Sequence, residues 1–296
     1  MTAKILDGNE LAKTARAELQ AEVAELQSKH GVVPGLAVVI VGDDPASMSY
    51  VRGKRKAAAE VGIHSQEAKF DADLPQVELI AEIERLNADS AVHGILVQLP
   101  LPGDLDEEAV LNAVDPDKDA DGLHPVNLGR LMRGQEGFLP CTPHGVQQIL
   151  QRSGIDVAGK HVVIVGRSSL VGKPLANMLT MKAAGANATV TLCHTGTTDL
   201  AYHTRQADVL VVVTGFRNTV TADMVKEGVV VIDVGVNQVE DASRKRGYRL
   251  VGDVDFDAVK EVASAITPVP GGVGPWTITM LLYNTVQAAK RSNQLD

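Results

Sequence analysis

The chain has 296 residues and a formal charge of −9, long enough for two domains and too acidic for a broad nucleic-acid or anionic-membrane surface. Hydrophobic residues make up 45%, charged residues 22% and aromatics only 3%, so the cores must be aliphatic, which suits sheets covered by helices on both faces. Two cysteines, Cys141 and Cys193, no apolar leader in residues 1–7 and no apolar run of bilayer length place the protein in the cytoplasm, away from membranes.

Residues 8–30 read as an amphipathic helix, with Leu11, Ala15, Leu19, Val23 and Leu26 on one stripe. Residues 36–41 are a continuous apolar run closed by Gly42, a buried strand. Asp44-Pro45 then opens a helix, Asp44 capping free backbone N–H groups and Pro45 fitting the first turn. Gly62 stops it. In this helix Tyr50 and Lys54 stand four residues apart and share a face, with Ser47 one turn earlier. A ring beside an amine offers a stacking surface and a proton carrier together; a core tyrosine with a solvated lysine is the plainer reading. Arg52, Lys54, Arg55 and Lys56 form a local basic cluster, either a solvated face or a guide for anionic ligands.

A strand is expected near residues 65–70 and a helix over 75–87, where Leu79, Ile80, Ile83 and Leu86 share a face. Residues 94–100 read as another buried strand. This alternation predicts a parallel sheet. Gln98 is the odd residue in that strand, because a buried amide needs partners. At the strand's carboxyl end, where open parallel sheets bind ligands, the partner is either a ligand or a neighbouring loop. In the acidic turn 115–122, Asp117, Asp119, Asp121 and Gly122 match the opening of a calcium-binding loop. Leu128 stands where the bidentate glutamate belongs, so the match fails. Asp121 then either contacts a ligand or belongs to a solvated loop. Residues 122–140 lack a period, and the first domain boundary is set after them. Thr142-Pro143 starts a helix. Cys141 with His144 gives only a weak thiol-nucleophile signature, because no orienting partner accompanies them.

The second domain opens on the apolar strand 161–166, which runs into Arg167-Ser168-Ser169-Leu170-Val171-Gly172-Lys173-Pro174 and a helix. A strand, a glycine-bounded turn and a helix make an anion cradle. Ser168 replaces the middle glycine of the usual dinucleotide fingerprint. The next strand, 188–193, ends in His194-Thr195-Gly196-Thr197, with no carboxylate to hold a ribose hydroxyl. Arg167 and hydroxyl groups stand ready instead, which favours a 2′-phosphate and hence NADP. Strands follow at 209–213 and 229–234. The turns after them, Thr214-Gly215 and Gly235, let backbone approach a ligand. The Pro- and Gly-rich stretch 267–277 is a stiff loop, close to a ligand or serving as a sharp connector, ahead of an apolar helix through Ala289.

Tyr50-Val51-Arg52-Gly53-Lys54, Gly94-Ile95-Leu96-Val97-Gln98-Leu99-Pro100-Leu101-Pro102, Asp119-Ala120-Asp121-Gly122, Gly166-Arg167-Ser168 with Val171-Gly172-Lys173-Pro174, and Pro270-Gly271-Gly272-Val273-Gly274-Pro275 together resemble the bifunctional methylenetetrahydrofolate dehydrogenase / methenyltetrahydrofolate cyclohydrolase family. The resemblance spans nearly the whole chain. It implies an α/β fold of two domains: an N-terminal three-layer α/β domain (1–140 plus 270–296) that binds folate, and a Rossmann-like NADP-binding domain (141–269). The C-terminal helix would return to the first domain, and the substrate would lie in the cleft between them. It further implies a homodimer that oxidises methylenetetrahydrofolate with NADP and hydrolyses the methenyl product.

By that resemblance Lys54 transfers protons in the cyclohydrolase step, Tyr50 stacks on or orients the folate, and Gln98 hydrogen-bonds Lys54 and tunes it. Asp121 binds the pterin edge, and Leu99, Pro270, Gly271 and Gly272 line the substrate site. Gly166, Arg167, Ser168, Gly172, Lys173, His194, Thr195, Thr214, Gly215, Val236, Gly274 and Thr277 hold the cofactor, and no metal is needed. Trp276 stands where the family commonly has methionine, which would reshape the cleft wall, and Ser169-Leu170 varies from the commonest turn. A free lysine titrates at about 10.4, a poor base near neutrality. A methenyl cation beside it would disfavour the protonated form. The residues by themselves leave two other readings open, an NADP oxidoreductase of another small substrate and a non-catalytic dinucleotide sensor. Neither requires Tyr50, Lys54, Gln98 and Asp121 together.

Overall fold

The computed structural model describes residues 2–244 and 247–295. The side chains of 45–47 and 49 lie outside the description, and with them the Ser47 position read from the sequence. The elements of the first half are β1 (Lys4–Ile5), α1 (Gly8–His30), β2 (Gly35–Val41), α2 (Pro45–Val61), β3 (His64–Phe70), α3 (Gln76–Ala88), β4 (Gly94–Val97), α4 (Glu107–Asn112), α5 (Pro125–Met132) and α6 (Cys141–Arg152). Then come β5 (His161–Val165), α7 (Gly172–Thr180), β6 (Thr189–Cys193), α8 (Leu200–Thr204), β7 (Val209–Val212), β8 (Val230–Asp233), β9 (Asn237–Glu240), β10 (Tyr248–Val251), α9 (Phe256–Val259), β11 (Ala265–Ile266) and α10 (Gly274–Ser292). The chain is α/β and divides into two compact units, Lys13–Cys141 with Ile278–Asp296, and Met1–Ala12 with Thr142–Thr277. Among the described residues no helix is long and apolar enough to cross a membrane.

In the unit of Lys13–Cys141 and Ile278–Asp296, three parallel strands run in the order β3-β2-β4. β2 is buried along its whole length, the mark of a central strand with both faces covered. Leu79, Ile83 and Leu86 of α3 pack on Val39, Ile95 and Val97, each contributing about 1.5–3 kcal/mol of apolar burial. Gly94 leaves room for α10: a Cβ there would lie 2.8 Å from the Thr285 hydroxyl and 3.0 Å from the Ala120 Cβ. The Schellman-type stop expected at Gly62 is present, with φ at +86° and Ile63 N donating to Ala58 O at 2.9 Å.

In the other unit six strands, all parallel, run β1-β11-β8-β7-β5-β6, and β9 and β10 form an antiparallel pair beside them. Pairing of β1 with β11 ties residues 1–12 to this unit. β5 has β6 on one side and β7 on the other, so the chain reverses its direction of winding at the carboxyl end of β5. Open α/β sheets bind ligands at such a switch point. Trp276 is fully buried, packed on Gly145 with the Arg152 guanidinium 5.6 Å from its ring centroid. It is a core residue of this unit, which corrects its expected place on a cleft wall.

Candidate active site

Lys54 is set by α2, which leaves the carboxyl end of β2, and it is only 8% exposed. Its Nζ donates to Gln98 Oε1 at 2.9 Å, while Gln98 Nε2 donates to Leu99 O at 2.7 Å. The second bond fixes the amide so that its oxygen faces the lysine. Gln98 lies just past the end of β4 and is half-buried, rather than inside a longer buried strand as the sequence suggested. Its backbone N–H still donates to Val39 O at 2.9 Å, and this bond holds it at the sheet edge.

Residues 118–120 run beside β4, with Ile95 N donating to Lys118 O at 2.7 Å and Ala120 N to Ile95 O at 3.3 Å. That pairing carries Asp121 to the same edge. Burial is the largest influence on Lys54 and pushes its amine below the ordinary value, with the charge of Asp121 opposing the shift. Burial pushes the Asp121 carboxyl up, and the Lys54 charge restrains it. Tyr50 is 45% exposed on the same helix, leaving its ring available to a flat ligand.

The basic cluster read from the sequence splits. Lys54 turns inward, whereas Arg52, Arg55 and Lys56 line a groove with Ala59, Ile63 and Ser65, where Arg55 pairs with Glu67 at 3.0 Å. Two buried residues with no earlier assignment frame the Asp121 segment. Asp119 accepts from Gly122 N, Leu123 N, His124 N and Asn127 Nδ2 at 2.8–3.2 Å. Asn284 Nδ2 donates to Ala120 O at 2.9 Å and Leu139 O at 3.0 Å. Asn284 carried a readable signal, an amide on the apolar face of a helix.

Cys141 donates its thiol to Ala120 O at 3.3 Å, and burial pushes that thiol well above its usual range, so it does not supply a thiolate. In the other unit burial lowers His144 from 6.5 to about 4. His144 is therefore neutral when folded and takes a proton on unfolding. The unfolded state binds more protons between these values, so stability rises with pH across that window and falls on acidification. Stability present above pH 6.5 drops by about 3 kcal/mol by pH 4 from this group. Melting temperatures across that range should fall less steeply for His144→Gln than for wild type; equal slopes would contradict the burial argument.

The dinucleotide-type turn follows β5. Gly166 has φ of +130°, and a Cβ on it would overlap the Val213 carbonyl oxygen; a Cβ on Gly172 would overlap the Gly166 carbonyl oxygen. The turn accepts only glycine at these two positions. Ser168 Oγ accepts from Val171 N at 3.1 Å, and Arg167, Ser168 and Lys173 are exposed around the start of α7. Ser168 O also accepts from Lys173 N at 3.1 Å and Pro174 has no N–H, so the helix dipole with the Arg167 and Lys173 side chains is what suits a phosphate there. After β6, His194 N donates to the Thr197 hydroxyl at 2.8 Å and Gly196 N to His194 Nδ1 at 3.0 Å, which leaves Thr195 exposed.

Thr277 shares a hydrogen bond with Thr142 at 3.0 Å, Gly274 has open space where a Cβ would be, and Val236 is 50% exposed. Gly271 and Gly272 pack on the start of α1, where a Cβ on Gly8 would overlap the Gly272 carbonyl oxygen and one on Gly271 would lie 2.7 Å from Asn9 Nδ2. Thr214 and Gly215 turn their N–H groups inward to Asp253, another residue without an earlier assignment.

A parallel sheet with a glycine-only turn at its switch point defines a dinucleotide-binding protein, and in the other unit a buried lysine amine rests on an oriented amide. Residues 6–121 match the profile "Tetrahydrofolate dehydrogenase/cyclohydrolase, catalytic domain", and residues 140–293 match "Tetrahydrofolate dehydrogenase/cyclohydrolase, NAD(P)-binding domain". The chain belongs to the tetrahydrofolate dehydrogenase/cyclohydrolase family. It is 57% identical to the bifunctional protein FolD of Syntrophobacter fumaroxidans over 296 residues, all of both chains. It is similar to the crystal structure of the FolD enzyme of Campylobacter jejuni at 48% identity and a TM-score of 0.92, covering 98% of this chain and 99% of that one. It is also similar to the Trypanosoma brucei enzyme, solved with NADP cofactor and inhibitor, at 43% identity and a TM-score of 0.93, with 99% of each chain covered.

Proposed function

We propose that the protein oxidises 5,10-methylenetetrahydrofolate to 5,10-methenyltetrahydrofolate with NADP and hydrolyses that product to 10-formyltetrahydrofolate. The observation that carries this reading is the buried Lys54 amine on Gln98 Oε1. Burial favours the neutral amine, which is the form able to take a proton near neutrality. One N–H rests on Gln98, and the lone pair is left for the water that adds to the methenyl carbon. Lys54 takes the proton as the C–O bond forms. It returns the proton to the ring nitrogen as the C–N bond opens, and the proton left on the added hydroxyl is released to solvent as the formyl C=O forms. Tyr50 stacks on the folate and Asp121 binds the pterin edge.

The turn fits a dinucleotide because its two glycines let it close backbone to backbone, Gly166 against Val213 and Gly172 against Gly166, at the start of a helix. Bound NADP supplies the hydride acceptor for the first step. Arg167, Ser168, Lys173 and Thr195 hold its phosphates and ribose, and no carboxylate at the end of β6 repels a 2′-phosphate. Both cysteines are free and buried, which supports a reducing compartment and our placing of the protein in the cytoplasm; the homodimer rests on the family resemblance alone.

The test is spectrophotometric turnover of methylenetetrahydrofolate with NADP and with NAD. Wild type should prefer NADP, and Arg167→Gln should raise the KM for NADP by about tenfold while changing that for NAD by less than about twofold. An equal effect on both cofactors would remove Arg167 from phosphate recognition. Cofactor binding without turnover would make the protein a dinucleotide sensor instead.

A further inference from the structure

Asp253 follows β10 and is completely buried. Its Oδ2 accepts from Thr214 N at 2.5 Å, Gly215 N at 2.9 Å and the Thr214 hydroxyl at 3.0 Å, and its Oδ1 accepts from Asn237 Nδ2 at 2.8 Å. Behind it Asp233, at the end of β8, accepts from Asp253 N at 3.0 Å and Gly235 N at 3.1 Å through Oδ1, and from Val254 N at 3.0 Å through Oδ2. A Cβ on Gly235 would overlap the Asp253 carboxylate, and one on Gly252 would overlap that of Asp233. Two interlocked carboxylates thus join the turn after β7 to the turn after β8, at the carboxyl ends of neighbouring parallel strands.

The pairing sets the polarity of the first turn. N–H groups at the end of a parallel strand ordinarily serve anions. Here the N–H groups of Thr214 and Gly215, together with the Thr214 hydroxyl, are already engaged by Asp253. Among the described residues, the carbonyls of Thr214 and Gly215 are what remain for an outside partner. Gly215, at φ +74°, has nothing within 4 Å of where a Cβ would be, so a ligand can approach that backbone closely. Carbonyl oxygens accept from hydroxyl and amide donors and repel phosphate.

We propose that Asp253 is a positioning residue for the dinucleotide. Through Thr214 and Gly215, and through Gly235 beside Val236, it shapes the part of the pocket that takes a neutral, hydroxyl- or amide-bearing nucleoside end. The phosphates go to the Gly166–Gly172 turn. This assignment rests on NADP as the cofactor, and Asp253 itself touches no reacting atom.

The test uses the full chain carrying Asp253→Ala or Asp253→Asn. It reads NADP-dependent oxidation and, separately, hydrolysis of methenyltetrahydrofolate, which consumes no cofactor. Asp253→Ala should raise the KM for NADP about tenfold or more with a smaller change in kcat, since four donors lose a buried acceptor. Asp253→Asn keeps one acceptor oxygen and should fall between. Methenyl hydrolysis should stay within about twofold in both, which shows that the variants fold. The dependence of NADP affinity on salt concentration should keep its wild-type slope, because the phosphate contacts are untouched. An unchanged KM, a shallower salt slope, or parallel loss of hydrolysis in both variants would overturn the assignment. Wild-type protein that does not bind NADP would refute the cofactor reading itself, and this assignment with it.

Discussion

Lys54→Met lowers methenyltetrahydrofolate hydrolysis by about 10²–10⁴-fold, the ordinary worth of a positioned acid–base group. The hydride step should survive within about tenfold, because it depends on orientation and not on a base. Methionine keeps most of the buried stem but removes the amine that donates to Gln98 Oε1. Lys54→Arg separates proton transfer from simple charge. A guanidinium stays protonated even when buried, so it keeps the cation and the hydrogen bond but cannot accept a proton. It should lose hydrolysis nearly as far as methionine does. Following the two steps separately, by cofactor reduction and by decay of the methenyl absorbance, distinguishes the outcomes. Full hydrolysis in Lys54→Arg would take Lys54 out of the proton path.

Gly172→Ala should abolish cofactor use while sparing the lysine centre. The added Cβ would overlap the Gly166 carbonyl oxygen, 2.6 Å from its carbon and 3.1 Å from the Arg167 Cα. All of these atoms are backbone, and none can rotate aside. The turn must open, at a cost of about 3 kcal/mol, or roughly 10 °C in the melting temperature of that unit. An opened turn no longer aims its N–H groups at one point, so the KM for NADP should rise by about a hundredfold. Methenyl hydrolysis should remain within a few-fold of wild type. A variant with the wild-type KM for NADP would show that the turn does not bind the phosphates.

Four strands were legible because their sequences are aliphatic apart from an end residue such as His161 or Asp233: β2, β5, β7 and β8 lie within about a residue of their expected bounds. β1 and β11 have two residues each, too short for any pattern, and only their pairing with each other and with β8 makes them strands. The β9–β10 hairpin alternates between half-buried and exposed residues without a strong apolar set, so it left no signal either. α5 lay hidden in residues 122–140, which show no period, although Pro125 sits in its first turn and His124 caps Val126 N at 3.1 Å.

At the site, Lys54 was legible from its spacing to Tyr50 and Gln98 as an odd amide, while their pairing followed only from the family resemblance; the direction of that amide depends on Leu99 O, a backbone atom that no sequence displays. Gly271 and Gly272 looked like ligand-facing glycines, and their close neighbours are instead Asn9, Gly8, Thr267 and Pro268. Asp233 went unnoticed as the one acid closing an apolar run, and Asp253 because it follows a strand with no strong apolar set and stands in a row with Asp255 and Asp257. Their partners lie 38 and 20 residues away in sequence, for the Gly215 and Asp253 amides.

Burial lowers the Lys54 amine below its ordinary value and favours its neutral form, with the Asp121 charge opposing the shift. The most direct measurement is the titration of the Lys54 ε-nitrogen by heteronuclear NMR in wild type and in Asp121→Asn. The wild-type midpoint should lie below the ordinary lysine value, because desolvation outweighs the Asp121 charge. The Asp121→Asn midpoint should lie lower still, and the acidic limb of the hydrolysis profile, where Lys54 becomes protonated, should move to lower pH with it. A wild-type midpoint at or above about 10.4 would mean that Lys54 is a fixed cation, and proton transfer would have to be assigned to another group.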